Sequence, residues 1–289
     1  MRILQANRLV LAVGLIAVIT GCNQPDFPKY TDLGSLRLLT IIADKPEANP
    51  GDTVIFTPVL SDLNGQGRTI QYSVQGCIDP GVGNGVNPGC PNPDVSSMQS
   101  GTVALLPGNN NTYTGPVASF SLTMPDDTRM FANRSAADQY NGVAYLVFYS
   151  ISIPDGPAVN SFLRVIVSTS SKTQKNQNPV ITSVDLNDVP ITGEFPMPGS
   201  TAPFRVIDPT SSAETYQILT RDGSFTTHNE ELITTWFVTD GLFDSSRTIG
   251  NSENSWKPPA SKPVNRGIAI LVVTRDGRGG SAYQKIEMN

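Results

Sequence analysis

From Leu36 onward, apolar side chains alternate with polar ones at period two, with a bias toward β-branched residues and turn signals at short intervals. This pattern predicts strands and argues against helical or βαβ organisation. In the first half the strands are expected near 36–43, 53–60, 69–75, 101–106, 117–123, 143–153 and 161–168. In the second half they are expected near 180–186, 203–207, 214–219, 232–239, 268–274 and 282–287. The alternation lapses over Thr169–Pro179 (TSSKTQKNQNP), so 171–179 is expected to link a unit over 36–170 to a unit over 180–289. Asp222-Gly223, Asp240-Gly241 and Asp276-Gly277 punctuate the second unit as tight reversals. Phe131–Tyr140 is the best candidate for a short helix. A different pattern occupies the start, where Leu9–Ile19 runs eleven residues without a charge.

Short strands at this spacing predict an all-β chain of two tandem immunoglobulin-like β-sandwich domains. Within 232–241 the alternation puts Trp236 on one face with Leu232, Thr234 and Val238, as a core tryptophan. Asn49-Pro50-Gly51-Asp52-Thr53, followed by Val54, Phe56 and Pro58, resembles the corner between the first two strands of bacterial immunoglobulin-like domains. The stretch Ala269–Tyr283, with its V-x-x-D-G-x-G-G pattern, and the W-F-V-T-D-G segment resemble PKD-like and cadherin-like bacterial domains. Asn178-Pro179-Val180-Ile181 is similar to the entry of a tandem domain of this kind. These resemblances imply two sandwiches standing end to end as a semi-rigid rod.

The apolar run at the start spans about 16 Å at about 1.5 Å per residue, roughly half a bilayer core, so it is expected to be an export signal and not a membrane span. Arg2 and Arg8 precede or open it, and Ile19-Thr20-Gly21-Cys22 ends it. This arrangement resembles the lipobox of bacterial lipoproteins. The resemblance implies cleavage of 1–21 as a signal peptide, diacylglycerol on the thiol of Cys22, and attachment to the membrane through that anchor. Residues 22–35, with Pro25, Pro28 and Gly34, then form a tether. Asn23 follows the anchor in place of the Asp that retains such proteins at the inner membrane, which implies a lipid-anchored outer-membrane protein.

Composition narrows the function more than it defines it. Of 289 residues, 20 are Lys or Arg and 25 are Asp or Glu, for a net charge of −5, which leaves no basic face for nucleic acid. One histidine excludes most zinc sites and any mechanism needing two imidazoles, and His228 has no G-x-S-x-G elbow elsewhere in the chain to serve. No cofactor loop and no metal site is expected. Asp62-Leu63-Asn64-Gly65 begins like a calcium loop but has Gln66 and Ser73 where further ligands belong, so it is expected to be a turn. Asp185–Pro190 echoes an acidic cadherin linker but lies inside the second unit.

Cys77 and Cys90 close a Gly/Pro/Asn-rich loop, and outside the cytoplasm they are expected to form a disulfide worth about 3 kcal/mol in the chain-entropy model. The expected function is that of a non-enzymatic envelope lipoprotein, structural, adhesive or protein-binding, with an envelope or surface protein as partner. The alternative is glycan binding, for which Trp256 is the candidate ligand-contact residue, against a packing role before Pro258-Pro259.

Overall fold

The computed structural model describes residues 33–65, 67–105, 113–154, 156–207, 212–261, 263 and 267–288. The signal segment and Cys22 lie outside them. The first half contains β1 (Arg37–Ala43), β2 (Glu47–Ala48), β3 (Thr53–Asp62), β4 (Thr69–Ile78), β5 (Gln99–Ala104), β6 (Tyr113–Pro116), β7 (Phe120–Thr123), helices α1 (Asp127–Met130) and α2 (Ala136–Asn141), β8 (Val143–Ser152) and β9 (Val159–Val167). One sheet has β3 at its centre, paired with β1 and with β6 and β7, which follow one another along it. The other runs β2-β9-β8-β4-β5. The second half contains β10 (Ser183–Leu186), β11 (Val189–Pro190), β12 (Ala202–Ile207), β13 (Thr215–Leu219), β14 (Phe225–Asn229), β15 (Ile233–Val238), β16 (Leu242–Phe243), β17 (Arg247–Ile249), β18 (Asn254–Lys257), β19 (Ile268–Arg275) and β20 (Ser281–Met288). Its sheets run β11-β10-β12-β18-β16 and β17-β15-β19-β20, with β13 and β14 forming a separate hairpin. In immunoglobulin lettering, strands A, B and E are β1, β3 and β6/β7 in one half and β10, β12 and β18 in the other. Strands C, F and G are β4, β8 and β9, then β15, β19 and β20. Both halves are therefore immunoglobulin-like sandwiches.

The elements follow from local chemistry. Gly51 takes φ 76° at the Pro-Gly corner, where the Asp52 carboxylate accepts the Asn49 N–H at 3.1 Å, and Val54 and Phe56 then point inward with no exposure. Phe56, Phe120 and Tyr149 stack through the first core with centroids 5.1 and 5.5 Å apart. A capping box between Ser135 and Asp138 starts α2, so the helix begins five residues later than the pattern suggests. Trp236 is buried in the second core, and its indole N–H donates to Thr248 Oγ1 at 2.9 Å.

The two sandwiches are not end to end. A third apolar cluster joins Leu39, Val59 and Leu63 of the first half to Phe237, Leu271 and Val273 of the second. Strand β19 explains how. Ile268, Ile270 and Val272 face its own core, while Ala269, Leu271 and Val273 face this seam. Docking side by side buries both faces of the strand, and the rod expected from the short linker is corrected accordingly.

Candidate functional site: the cleft at the junction

Beside the apolar seam, the junction is charged and hydrogen-bonded. Glu47, on the short strand β2, has a carboxylate only 1% exposed. It accepts Lys172 Nζ at 2.6 Å, the Asn176 N–H at 2.9 Å and the Ser168 hydroxyl, with Arg278 3.6 Å away. Lys172 and Asn176 come from the linker and Arg278 from the β19–β20 turn, so one carboxylate ties three segments together. Arg278 also donates to Glu230 at 2.6 Å and lies 3.9 Å over the Tyr216 ring, which fixes the β13–β14 hairpin to the same point. Asp276 accepts the Arg278 N–H at 2.7 Å, the Gly280 N–H at 2.9 Å and Asn176 Nδ2 at 2.8 Å.

Burial sets the electrostatics of this cluster. It raises the carboxyl pKa of Asp276 despite the donors around it, and raises that of Glu230 despite the Glu214 N–H and Arg278. It lowers the Lys175 ammonium, whose three hydrogen bonds go to Ser168 and Thr169.

The hairpin reaches across to the first sandwich. Asn141, at the end of α2, donates its amide to the Leu219 carbonyl and accepts the Leu219 N–H, both at 2.8 Å. Tyr140 meets Phe225 edge-on at 5.2 Å. Between β9, the hairpin and the β19–β20 turn lies an open cleft of about 480 Å³, walled by Phe162, Leu163, Ile166, Tyr216 and Ile218, with Asn176 also lining it. Its size is that of ordinary ligand clefts, roughly 300–1,000 Å³. Gly279, at φ 113°, lies against the first sandwich so closely that a Cβ would stand 2.9 Å from the Arg164 carbonyl. Asn176 Oδ1 is buried and, among the described residues, has no hydrogen-bond partner.

The residues singled out from sequence are elsewhere. Cys77 and Cys90 are disulfide-bonded with Cα atoms 5.7 Å apart, and Cys90 Sγ sits 4.0 Å from the Leu146 carbonyl of β8. Asp79 and Asp94 pin the stapled region. Asp79 pairs with Arg164 at 2.7 Å and caps the Gly81 and Val82 N–H groups, while Asp94 holds Arg129 and accepts the Tyr145 hydroxyl at 2.9 Å. Burial, then the Asp94 hydrogen bond, pushes the Tyr145 phenol above its usual range. Val95, just beyond the staple, is 84% exposed.

Trp256 is corrected as a ligand contact. It is 0% exposed, edge-on to Phe204 at 6.1 Å, with its N–H donating to the Asp240 carbonyl at 3.3 Å, and it is part of the second core. Asp62 is engaged by Arg68 through two 2.7 Å hydrogen bonds. Asp185 accepts the Ser183 hydroxyl at 2.6 Å. His228 sits on the exposed hairpin, stacked on Tyr216 and 3.0 Å from Thr226 Oγ1. Of these, His228 alone touches the junction, through its stacking on Tyr216.

Sequence reasoning missed Glu47, Lys172, Asn176 and Arg278, because Glu47 stands on a two-residue strand too short to leave a pattern and the other three stand in a turn or linker where polar side chains are ordinarily solvated. The available signal was the run Ile268–Val273, whose six consecutive apolar residues call for cover on both faces of a strand.

No family model matches the sequence, and no curated protein is detectably similar to it. Among solved structures, dimeric latent PorU from Porphyromonas gingivalis is similar over 89% of this chain and 34% of that one, with 10% identity and a TM-score of 0.24. The N-terminal Ig1-2 module of the Drosophila receptor protein tyrosine phosphatase DLAR is similar over 88% of this chain and 97% of that one, at 9% identity and TM-score 0.25. The Yersinia pseudotuberculosis adhesin InvE is similar over 86% of this chain and 58% of that one, at 15% identity and TM-score 0.20. The fold assignment rests on strand order within each sandwich and not on scores of this size.

Proposed function

We propose that this protein is a lipid-anchored, non-enzymatic lipoprotein of the bacterial outer membrane that binds another envelope or surface protein. The observation that carries the protein-binding part is the junction. A buried apolar seam and the Glu47 cluster hold two immunoglobulin-like sandwiches in one fixed arrangement, and an open cleft lies where they meet. A preorganised concave surface between rigid elements binds without first losing conformational freedom. The anchor is supported by the lipobox ending at Cys22 and by the Pro-containing tether after it. Two or three acyl chains would hold the protein at the membrane, where one would not.

Two measurements test this reading. Labelling with radioactive palmitate should mark the wild-type chain and not Cys22→Ala, and equal labelling removes the anchor. A photo-crosslinking amino acid placed at Phe162, on the rim of the cleft, should give a protein adduct in intact cells. The same group at Leu242, on the second sandwich, should give none. Absence of any adduct from Phe162 removes the protein-binding reading.

A further inference from the structure

The cleft is bounded by main chain as well as side chains. In β9, the Ile166 N–H donates to the Pro46 carbonyl and the Ser168 N–H, just beyond the strand, to the Ala48 carbonyl, so the even-numbered residues turn their main-chain groups away from β8. Strand β2 covers this edge only at Ile166 and Val167. Phe162 and Arg164 continue it into the cleft, where the β19–β20 turn abuts the Arg164 carbonyl through Gly279, while among the described residues the Phe162 N–H meets no acceptor.

The hairpin presents a matching edge. Leu219 gives both main-chain groups to Asn141, and the Thr215 carbonyl accepts Gln174 Nε2 at 2.9 Å, so the odd-numbered residues of β13 turn away from β14. Gln217 lies between them with its N–H and carbonyl facing the cleft, and no described group bonds either one. Two strand edges therefore line one cavity: that of β9 is covered by β2 at Ile166 and by Gly279 at Arg164 and open at Phe162, and that of β13 is taken at Thr215 and Leu219 and open at Gln217. Asn176 Oδ1 adds a buried acceptor without a donor among the described residues, and Asn176 Nδ2 is committed to Asp276, which fixes the amide's orientation.

We propose that the cleft binds an extended polypeptide segment of a partner protein, which enters as an added β-strand against β9 at Phe162 and β13 at Gln217. Strand edges with unpaired N–H and C=O groups are templates for such addition, and exposed ones are normally covered. Main-chain hydrogen bonds would supply affinity. The Phe162 and Tyr216 rings and the Asn176 acceptor would select among side chains. This inference rests on the protein-binding reading above and names its site and mode.

The test is selection of a displayed random 12-residue peptide library on the full chain in detergent, followed by three measurements on a selected peptide. Its addition should slow hydrogen exchange at the amides of Phe162 and Gln217. N-methylation of alternate peptide residues should weaken binding about tenfold per lost bond, since each leaves a main-chain group unpaired. Gln217→Pro removes the cleft-facing N–H without touching the β13–β14 ladder, and should weaken binding similarly at an unchanged melting temperature. If that variant does not fold, the N-methyl series on the wild-type chain decides. An empty selection, protection elsewhere such as at the stapled loop, or indifference to N-methylation each overturns the strand-addition mode. A Phe162 adduct in cells together with N-methyl indifference leaves the protein-binding reading standing and removes only this inference.

Discussion

The junction between the sandwiches has an apolar half and a charged half, and they do different work. On the apolar side, Leu39, Val59, Leu271 and Val273 are nearly or fully buried, and each Å² removed from water contributes about 25 cal/mol. On the charged side, Glu47 and Lys172 are also buried and Arg278 is partly so, but the cost of desolvating such groups roughly cancels their attraction. The seam therefore supplies adhesion. The charged half supplies orientation, because the hydrogen-bonding directions of Glu47 can be met in one arrangement of linker and turn only.

The largest expected effect comes from breaking the charged half at its hub. Glu47→Ala leaves the Lys172 ammonium buried without its carboxylate and the Asn176 N–H without an acceptor. A loss of about 3–5 kcal/mol is expected, because removing one partner strands the other. Denaturant unfolding measures it, and a loss below about 1 kcal/mol, the range of exposed pairs, would show that Glu47 is not the hub.

Leu271→Ala tests the apolar half and should cost about 3 kcal/mol, within the usual range for a buried leucine. Its location makes the outcome more specific than its size. Leu271 faces the seam while its neighbours Ile270 and Val272 face the second core, so the loss falls on the coupling between the halves. Unfolding followed by circular dichroism should broaden or split into two transitions. A single transition, merely shifted, would place Leu271 in the second core's own cooperative unit.

The same contrast shows how much could be read from the chain. Alternation marked the long strands of both sandwiches, because one buried face makes every second residue apolar. Trp236 was legible for that reason. Strand β14 (FTTHN) was not, since all five of its residues are exposed and no core writes a pattern into them. Strand β18 was hidden by its brevity, and with it the burial of Trp256. Of the cleft, the Asp276–Gly280 turn was visible as a turn. That Arg278 within it joins Glu47, more than two hundred residues earlier, depends on the side-by-side docking, which local pattern does not encode.

The smallest effect separates the halves by pH. Asp276 and Glu230 have folded pKa values above their ordinary 3.8 and 4.5, chiefly because burial disfavours their charge. Between the ordinary and the raised value the folded state binds the proton and the unfolded state does not. These two groups therefore add stability as pH falls through that window and lose it as pH rises. Asp138 behaves oppositely. Hydrogen bonds from Ser135 hold its pKa below 3.8, so its contribution is lost on acidification. Comparing wild type with the Asp276→Asn, Glu230→Gln double variant cancels Asp138 and isolates the junction. The difference in stability, wild type minus variant, should grow as pH is lowered from 7 toward 4, whatever its value at neutrality. A difference that shrinks would mean that Arg278 and the surrounding donors outweigh burial, and that the charged half adheres as well as orients.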